Sequence, residues 1–273
     1  MDVQRADLLT TLKLLQAFGI PVSQVIDIGA AEGAFFAIRQ QTECYPQASH
    51  FFIDAMEENQ PHYERVERSF GGGHEICALS SMQGEIELSV DPGFYNTHIG
   101  GLQADQAQYA RRRVPVRPLD EVVKRHGLEG PFLMKVDVQG AELDVLRGAV
   151  ETLKKTNIVT LEAQICLFRD TLIDHSNFLR THGFVLYDLT NLSYYQSDFT
   201  LYQCLATYIP ERLDFRKNEP FREAERERAE RERLRERRRQ VTEAVDRMCA
   251  AREAQMSPAP RIHVVAKPEA MAT

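Results

Sequence analysis

Three acids stand near the ends of apolar runs that give way to turns. They are Asp27 in VIDIGAAEGAFF, Asp54 after HFFI, and Asp137 in FLMKVDVQG. In the first block Gly29 and Gly33 occupy the turn between a buried strand and the helix that follows. Glycines there let the backbone approach a ligand closely, and the N–H groups at the helix start face it. Ala31 holds the position of the middle glycine in the dinucleotide pattern, so a pyrophosphate site is disfavoured. Asp54 lies 21 residues past Gly33, where an acid can accept both hydroxyl hydrogens of a ribose. Together these residues point to an adenosine ligand without phosphates, such as S-adenosylmethionine. A tight strand–helix turn that binds nothing is the plain alternative.

Asp137 ends a buried strand at the same sheet edge. A carboxylate there can touch the cofactor's amino group, bind a metal, or accept the proton of an acceptor hydroxyl. Capping the 140–149 helix is its structural alternative. Glu142 falls in the first turn of that helix, where an acid is stabilising regardless of function. Lys135 interrupts an apolar strand and calls for a nearby acid. The eight histidines show no metal-ligand spacing, and whether a metal is needed stays open. His98, in FYNTHIGG, is the second candidate base, with a surface histidine as the alternative; His175 carries the same pair of readings. Tyr194 and Tyr195 either wall a sugar pocket or pack.

These residues need a scaffold that gathers strand ends. Leu8, Leu12, Leu15 and Phe18 predict a helix ahead of the first strand, Val25–Ile28. A helix over Ala34–Gln41, a strand over His50–Ile53 and a helix over Glu57–Phe70 follow, the last stopped by the loop Gly71-Gly72-Gly73. Glu75–Leu79 and Glu85–Val90 read as strands and 91–112 as a long loop with some helix. Val114–Arg117 is extended, because Pro115 and Pro118 exclude a helix. Asp120–His126 and Ala141–Leu153 read as helices flanking the strand Phe132–Val136. Ile158–Leu161, a helix containing Asn177–Thr181, then Phe184–Leu189 and Leu201–Tyr208 complete the set. Such alternation gives an α/β fold with a mostly parallel sheet covered on both faces. The turn-rich Asn191–Ser197 leaves no room for a crossover helix, so the last strand pairs back antiparallel.

The block FLMKVDVQGAELDVLRGA resembles the signature of the FkbM family of S-adenosylmethionine-dependent methyltransferases. Lys135, Asp137, Gly140, Ala141, Glu142, Leu146, Gly148 and Ala149 match its pattern, and Gln139 stands where Glu is frequent. Asp27-Ile28-Gly29, Ala78-Leu79-Ser80 before Gly84, Leu119-Asp120-Glu121 and Glu162 are further family-like pieces, spread in order over residues 22–208. The resemblance implies a class I methyltransferase (Rossmann-like) fold with a seven-stranded sheet. It also implies O-methylation of a sugar, glycan or natural-product hydroxyl. Asp27, Gly29 and Gly33 would then line the methionine part of the cofactor and Asp54 the ribose, with Ala31 and Ala55 also among the cofactor-binding residues. Ala78 and Leu79 would lie against adenine, with Asp137 also within reach of the cofactor. Where the family usually has Glu-Pro, this chain has Asp54-Ala55-Met56, a carboxylate one methylene shorter.

The chain of 273 residues carries a net charge of −7, which is unsuited to gripping nucleic acid over its whole surface. Residues 217–253 hold 12 basic and 10 acidic side chains, so the +2 of this segment leaves about −9 on the rest. From Phe221 to Ser257 there is no Gly or Pro, and Glu, Arg and Ala predict one charged helix. Leu234, Val241 and Met248 recur every seven residues with Val245 beside them; a solvated single helix is the plain reading, and a thin seam for a coiled coil, a second copy or a protein partner the alternative. The boundaries expected are 1–212 for the catalytic domain and 213–273 for a charged helical extension with a loose tail. Five widely spaced cysteines with no CxxC, an acidic start and no long apolar stretch predict a cytoplasmic protein with reduced thiols. Two competing functions remain: a non-catalytic scaffold acting through the charged helix, and a nicotinamide oxidoreductase, which Ala31 disfavours.

Overall fold

The computed structural model describes residues 7–31, 42–90, 98–99, 110–165, 171–217 and 219–255. Gly33, the expected helix Ala34–Gln41 and most of the expected 91–112 loop lie outside the described residues. Seven strands form the main sheet: β1 (Gln24–Ile28), β2 (Ser49–Asp54), β3 (Gly72–Ile76), β8 (Phe132–Val136), β9 (Thr156–Gln164), β10 (Phe184–Tyr194) and β11 (Leu201–Pro210). Their order across the sheet is β10-β11-β9-β8-β1-β2-β3. All neighbours are parallel except that β11 runs antiparallel to both β9 and β10. This is the expected class I methyltransferase sheet, with the last strand inserted beside the fifth.

β1 and β8 are central because apolar residues fill both of their faces, as parallel strands covered on two sides require. On one face Leu8, Leu12 and Leu15 of α1 (Leu8–Ala17) pack on Val25, Leu133, Ile158 and Ile209. The opposite face is covered by α3 (Leu119–His126), α4 (Glu142–Arg147), α5 (Val150–Lys154) and α6 (Thr171–Thr181). The in-register pairing sets Asp27 opposite Lys135 and Lys135 opposite Thr160. Side chains alternate along a strand. One polar row therefore crosses the α1 face of an apolar sheet.

Three local expectations are corrected. The single helix over Ala141–Leu153 is two, α4 and α5, because a Cβ at Gly148 would stand 2.2 Å from the Ser80 carbonyl oxygen. There the Asp120 carboxylate accepts from the N–H groups of Glu151 and Thr152 and starts α5 afresh. The glycine run does not end in a loop: Gly71 stops α2 (Gln60–Phe70), and Gly72 and Gly73 already belong to β3. Only a glycine fits there, since a Cβ at Gly72 would meet the His50 carbonyl oxygen at 1.6 Å. Glu75–Leu79 is likewise two strands in two sheets. β4 (Ala78–Leu79) joins β7 (Ala110–Arg117), β5 (Gly84–Val90) and β6 (His98–Ile99) in a second sheet, ordered β4-β7-β5-β6.

The second sheet has its own small core of Leu88, Val90 and Val114 around Met56, which follows β2. Arg112 reinforces the junction by gripping Glu58 with two bonds of 2.8 and 2.6 Å. A second unit begins at Arg216, and its described part is essentially α7 (Glu219–Gln255). Leu234, Val241, Val245 and Met248 are exposed on it. Among the described residues no helix is long and apolar enough to cross a membrane.

Candidate active site

The carboxyl ends of β1, β2, β8 and β9 converge, the place where open α/β sheets bind ligands. Gly29 leaves β1 with φ +69°, and its N–H donates to the Ile53 carbonyl oxygen at 2.9 Å. A Cβ at Gly29 would lie 1.8 Å from the Asp137 carbonyl oxygen, so β1 and β8 emerge with their backbones in close approach. The Asp137 N–H closes the contact on the Ile28 carbonyl oxygen at 3.0 Å. Ala31 also takes a left-handed conformation, at φ +42°. The turn is held from outside by Asp54. Its Oδ2 accepts from the Ala31 N–H at 2.7 Å, and its Oδ1 from the Met56 N–H at 2.8 Å. Burial raises the Asp54 pKa against the pull of these two bonds.

Asp27 is fully buried, and the Lys135 ammonium stands 3.4 Å from its Oδ1 and 3.5 Å from Asp137 Oδ2. Burial works to lower the Lys135 pKa, but the two carboxylates outweigh it and hold it well above its ordinary value. Burial pushes Asp27 upward against the pull of the lysine. Among the described residues Asp27 Oδ2 has no hydrogen-bond partner. Buried polar atoms are nearly always satisfied, so this oxygen marks a place where a donor belongs.

Asp137 keeps 27% of its side-chain surface, enough for a ligand to reach it. Its Oδ1 accepts from the Gln139 amide at 3.1 Å, and the same nitrogen lies 3.2 Å from Glu162 Oε2. Glu162 Oε1 in turn accepts from the Gln203 amide of β11. Asp137 is not the helix cap: the N-cap of α4 is Ala141, with no side-chain cap. Glu142 folds back instead, and its Oε1 accepts from the N–H groups of Val138 and Gly140 at 3.1 and 3.0 Å. This ties down a loop in which Gln139 and Gly140 both have positive φ.

The sequence matches the family described as Methyltransferase FkbM domain over residues 27–186, more than half of the chain. The chain belongs to the FkbM methyltransferase family. No curated protein matches it. Among solved structures, the methyltransferase FkbM from Methylobacillus flagellatus KT is 18% identical with a TM-score of 0.45, over 68% of this chain and 43% of that one. The chain thus spans less than half of that protein's length. Fibrillarin from Aeropyrum pernix, solved with natively bound S-adenosyl-L-methionine, is 12% identical with a TM-score of 0.40 over 72% and 73% of the two chains. A precorrin-6y C5,15-methyltransferase from Geobacter metallireducens GS-15 is 11% identical with a TM-score of 0.37 over 73% and 86%.

In this FkbM chain the fold brings together Asp27, Gly29, Ala31, Asp54 and Asp137. Ala55 and Ala78 are half-buried against the small core around Met56, and Leu79 is buried in the main core. His98 pairs through β6 with Ser89, and its side chain, like Gly33, lies outside the described part of the structure. His175 is not a surface residue: it is buried on α6, and burial holds its pKa down to about 4. Tyr194 is half-exposed at the end of β10, and the Tyr195 ring lies 4.5 Å from that of Tyr202. Glu162, Gln139 and Gln203 were not among the expected site residues. Glu162 had a local signal, an acid inside the apolar run IVTLEA; Gln203 had the same in LYQCLA. Among the described residues no group of three His, Cys, Asp or Glu side chains is arranged to hold a metal ion.

Proposed function

We propose that this protein transfers a methyl group from S-adenosylmethionine to a hydroxyl of a sugar, glycan or natural product. The observation that carries the proposal is the buried Asp27 Oδ2, without a partner among the described residues, beside the close backbone approach at Gly29. An ammonium is the donor that suits such an oxygen, and the methionine part of the cofactor carries one. Asp27 would hold it, beside the Gly29–Ala31 turn. Each Asp54 oxygen spends one lone pair on the turn and keeps another for a ribose hydroxyl. The residues present therefore fit the cofactor.

When bound, S-adenosylmethionine supplies an electrophilic methyl carbon on a sulfonium. The protein's own work is alignment and proton removal. Asp137 is the accessible carboxylate at the edge, and it takes the acceptor's hydroxyl proton as the oxygen attacks. Lys135 holds Asp137 in place and offsets the negative charge of the two aspartates. The test is transfer of isotopically labelled methyl from the cofactor to a pool of hydroxylated small molecules and oligosaccharides. Label in a methyl ether, lost in a folded Asp137→Asn variant, supports the proposal. Label found only in amines, carbons or RNA overturns the hydroxyl assignment.

A further inference from the structure

We propose that Gln139 is a positioning residue of the site: its side-chain amide, braced by Glu162 and Gln203, fixes the orientation in which Asp137 takes the acceptor's proton. This rests on the methyltransferase function proposed above and adds a residue to it.

A carboxylate is free to turn about its last bond unless both of its oxygens are held. Lys135 stands on one side of Asp137, its ammonium 3.5 Å from Oδ2. Oδ1, on the other side, accepts from the Gln139 amide nitrogen at 3.1 Å. The same nitrogen donates to Glu162 Oε2 at 3.2 Å, so its two hydrogens serve two carboxyl groups. Turned over, the amide would set its carbonyl oxygen between them, an acceptor facing acceptors. Glu162 makes a firm anchor because it is buried, whereas Asp137 is partly exposed. Its Oε1 accepts from the Gln203 amide. Leu205 is the register partner of Glu162 across β9 and β11, so Gln203, two residues away, lies on the same face. The chain of bonds from Gln203 through Glu162 and Gln139 to Asp137 carries the rigidity of two paired strands to a residue in a loop.

The backbone supplies a second observation. Gln139 has φ +56°, a left-handed conformation that is costly for an L-residue and free for glycine. A glycine would make this turn without strain, but it would bring no amide. Glu142 pins the turn on both sides of Gln139, its Oε1 accepting from the N–H groups of Val138 and Gly140 at 3.1 and 3.0 Å. The strained residue is therefore fixed at its backbone by α4 and at its side chain by β9 and β11.

The test uses the full-length protein and begins without an acceptor. Hydrogen exchange of the glutamine side-chain amides is followed by NMR on 15N-labelled protein, and the Gln139 pair is assigned by its loss in Gln139→Met. These hydrogens are expected to exchange about tenfold or more slowly than those of an unfolded chain, and faster in Gln203→Met. Methyl transfer to an acceptor hydroxyl is then compared at saturating cofactor. Gln139→Met keeps the side-chain length without the amide. It is expected to lower kcat about tenfold or more, with S-adenosylmethionine affinity by calorimetry within about threefold. Gln139→Glu can donate only while protonated, so its kcat is expected to fall further as pH rises. Gln203→Met is expected to lower kcat by less and to add nothing in the double variant, since both act through one amide; it also serves if Gln139→Met does not fold. Unprotected Gln139 hydrogens, or kcat within about threefold of wild type in Gln139→Met, overturn the proposal. So does a Gln139→Glu pH profile like that of wild type, or kcat losses that add in the double variant. No cofactor binding, or no transfer to a hydroxyl, by the wild-type protein is instead failure of the methyltransferase assignment, and the amide exchange still decides whether Gln139 is held.

Discussion

Gly29→Ala separates two costs that a turn glycine can hide. The first is conformational: an L-residue in the left-handed region costs about 1–2 kcal/mol. The second is steric: the new methyl would sit 1.8 Å from the Asp137 carbonyl oxygen and 3.1 Å from Val138 Cγ1. The 1.8 Å neighbour is backbone, so no side-chain movement relieves the main clash. Overpacking of this kind adds about 1–3 kcal/mol. Gly127, at the end of α3, supplies the control. Its φ is +61°, close to the +69° of Gly29, but a Cβ there would meet nothing within 4 Å. Gly127→Ala is therefore expected to carry the first cost alone, and Gly29→Ala both, a difference of roughly 1–3 kcal/mol. Urea unfolding of both variants measures this through the transition midpoint at constant slope. Equal losses for the two variants would refute the close approach of β1 to the Asp137 backbone, and with it the shape of the cofactor turn.

Asp54→Asn turns one carboxylate oxygen into a donor that faces a backbone N–H. The loss is expected to be about 1–3 kcal/mol in stability, read by thermal or urea unfolding, together with weaker cofactor binding. His50 and His175 are buried with pKa values near 4 against 6.5 when unfolded. Their contribution is complete above about pH 6.5 and is lost as pH falls toward 4, up to roughly 3 kcal/mol each. Glu162, raised from 4.5 to about 8, works in the opposite sense, and its contribution fades as pH rises across that window. Unfolding midpoints measured from pH 4 to 9 check both signs, and Glu162→Gln is expected to abolish the alkaline part alone. Truncation after Arg216 is expected to leave a folded domain of smaller assembly size; light scattering that gives the same number of chains per particle speaks against association through α7.

The main sheet was legible because its central strands are short apolar runs ended by Gly29 and by the 137–140 loop. The hairpin reversal followed from a turn too short for a crossover. Of the second sheet only the strands Glu85–Val90 and Val114–Arg117 were legible, not the sheet they form. β4 and β6 are two residues each, too short for a pattern, and Pro115 lies in β7 where only β5 flanks it. The split at Gly148 was hidden because it is imposed by the distant Ser80 backbone, not by local sequence. The gathering of Asp27, Asp54 and Asp137 at one sheet edge was legible, since each strand delivers its own acid. Glu162 and Gln203 escaped because β9 and β11 become neighbours only through the sheet order. Asp54, expected near a ribose, accepts from the backbone N–H groups of Ala31 and Met56, a structural part the sequence did not reveal.

The most direct measurement is calorimetric titration of the full-length protein with S-adenosylmethionine, with NAD alongside. One cofactor per chain is expected, with no heat from NAD. Asp27→Asn, confirmed as folded by circular dichroism, is expected to weaken binding at least tenfold, in line with the roughly 1.5–3 kcal/mol of a hydrogen bond to a charged group. No binding of S-adenosylmethionine, or equal affinity in Asp27→Asn, would contradict the assignment of this buried carboxylate as the cofactor's anchor.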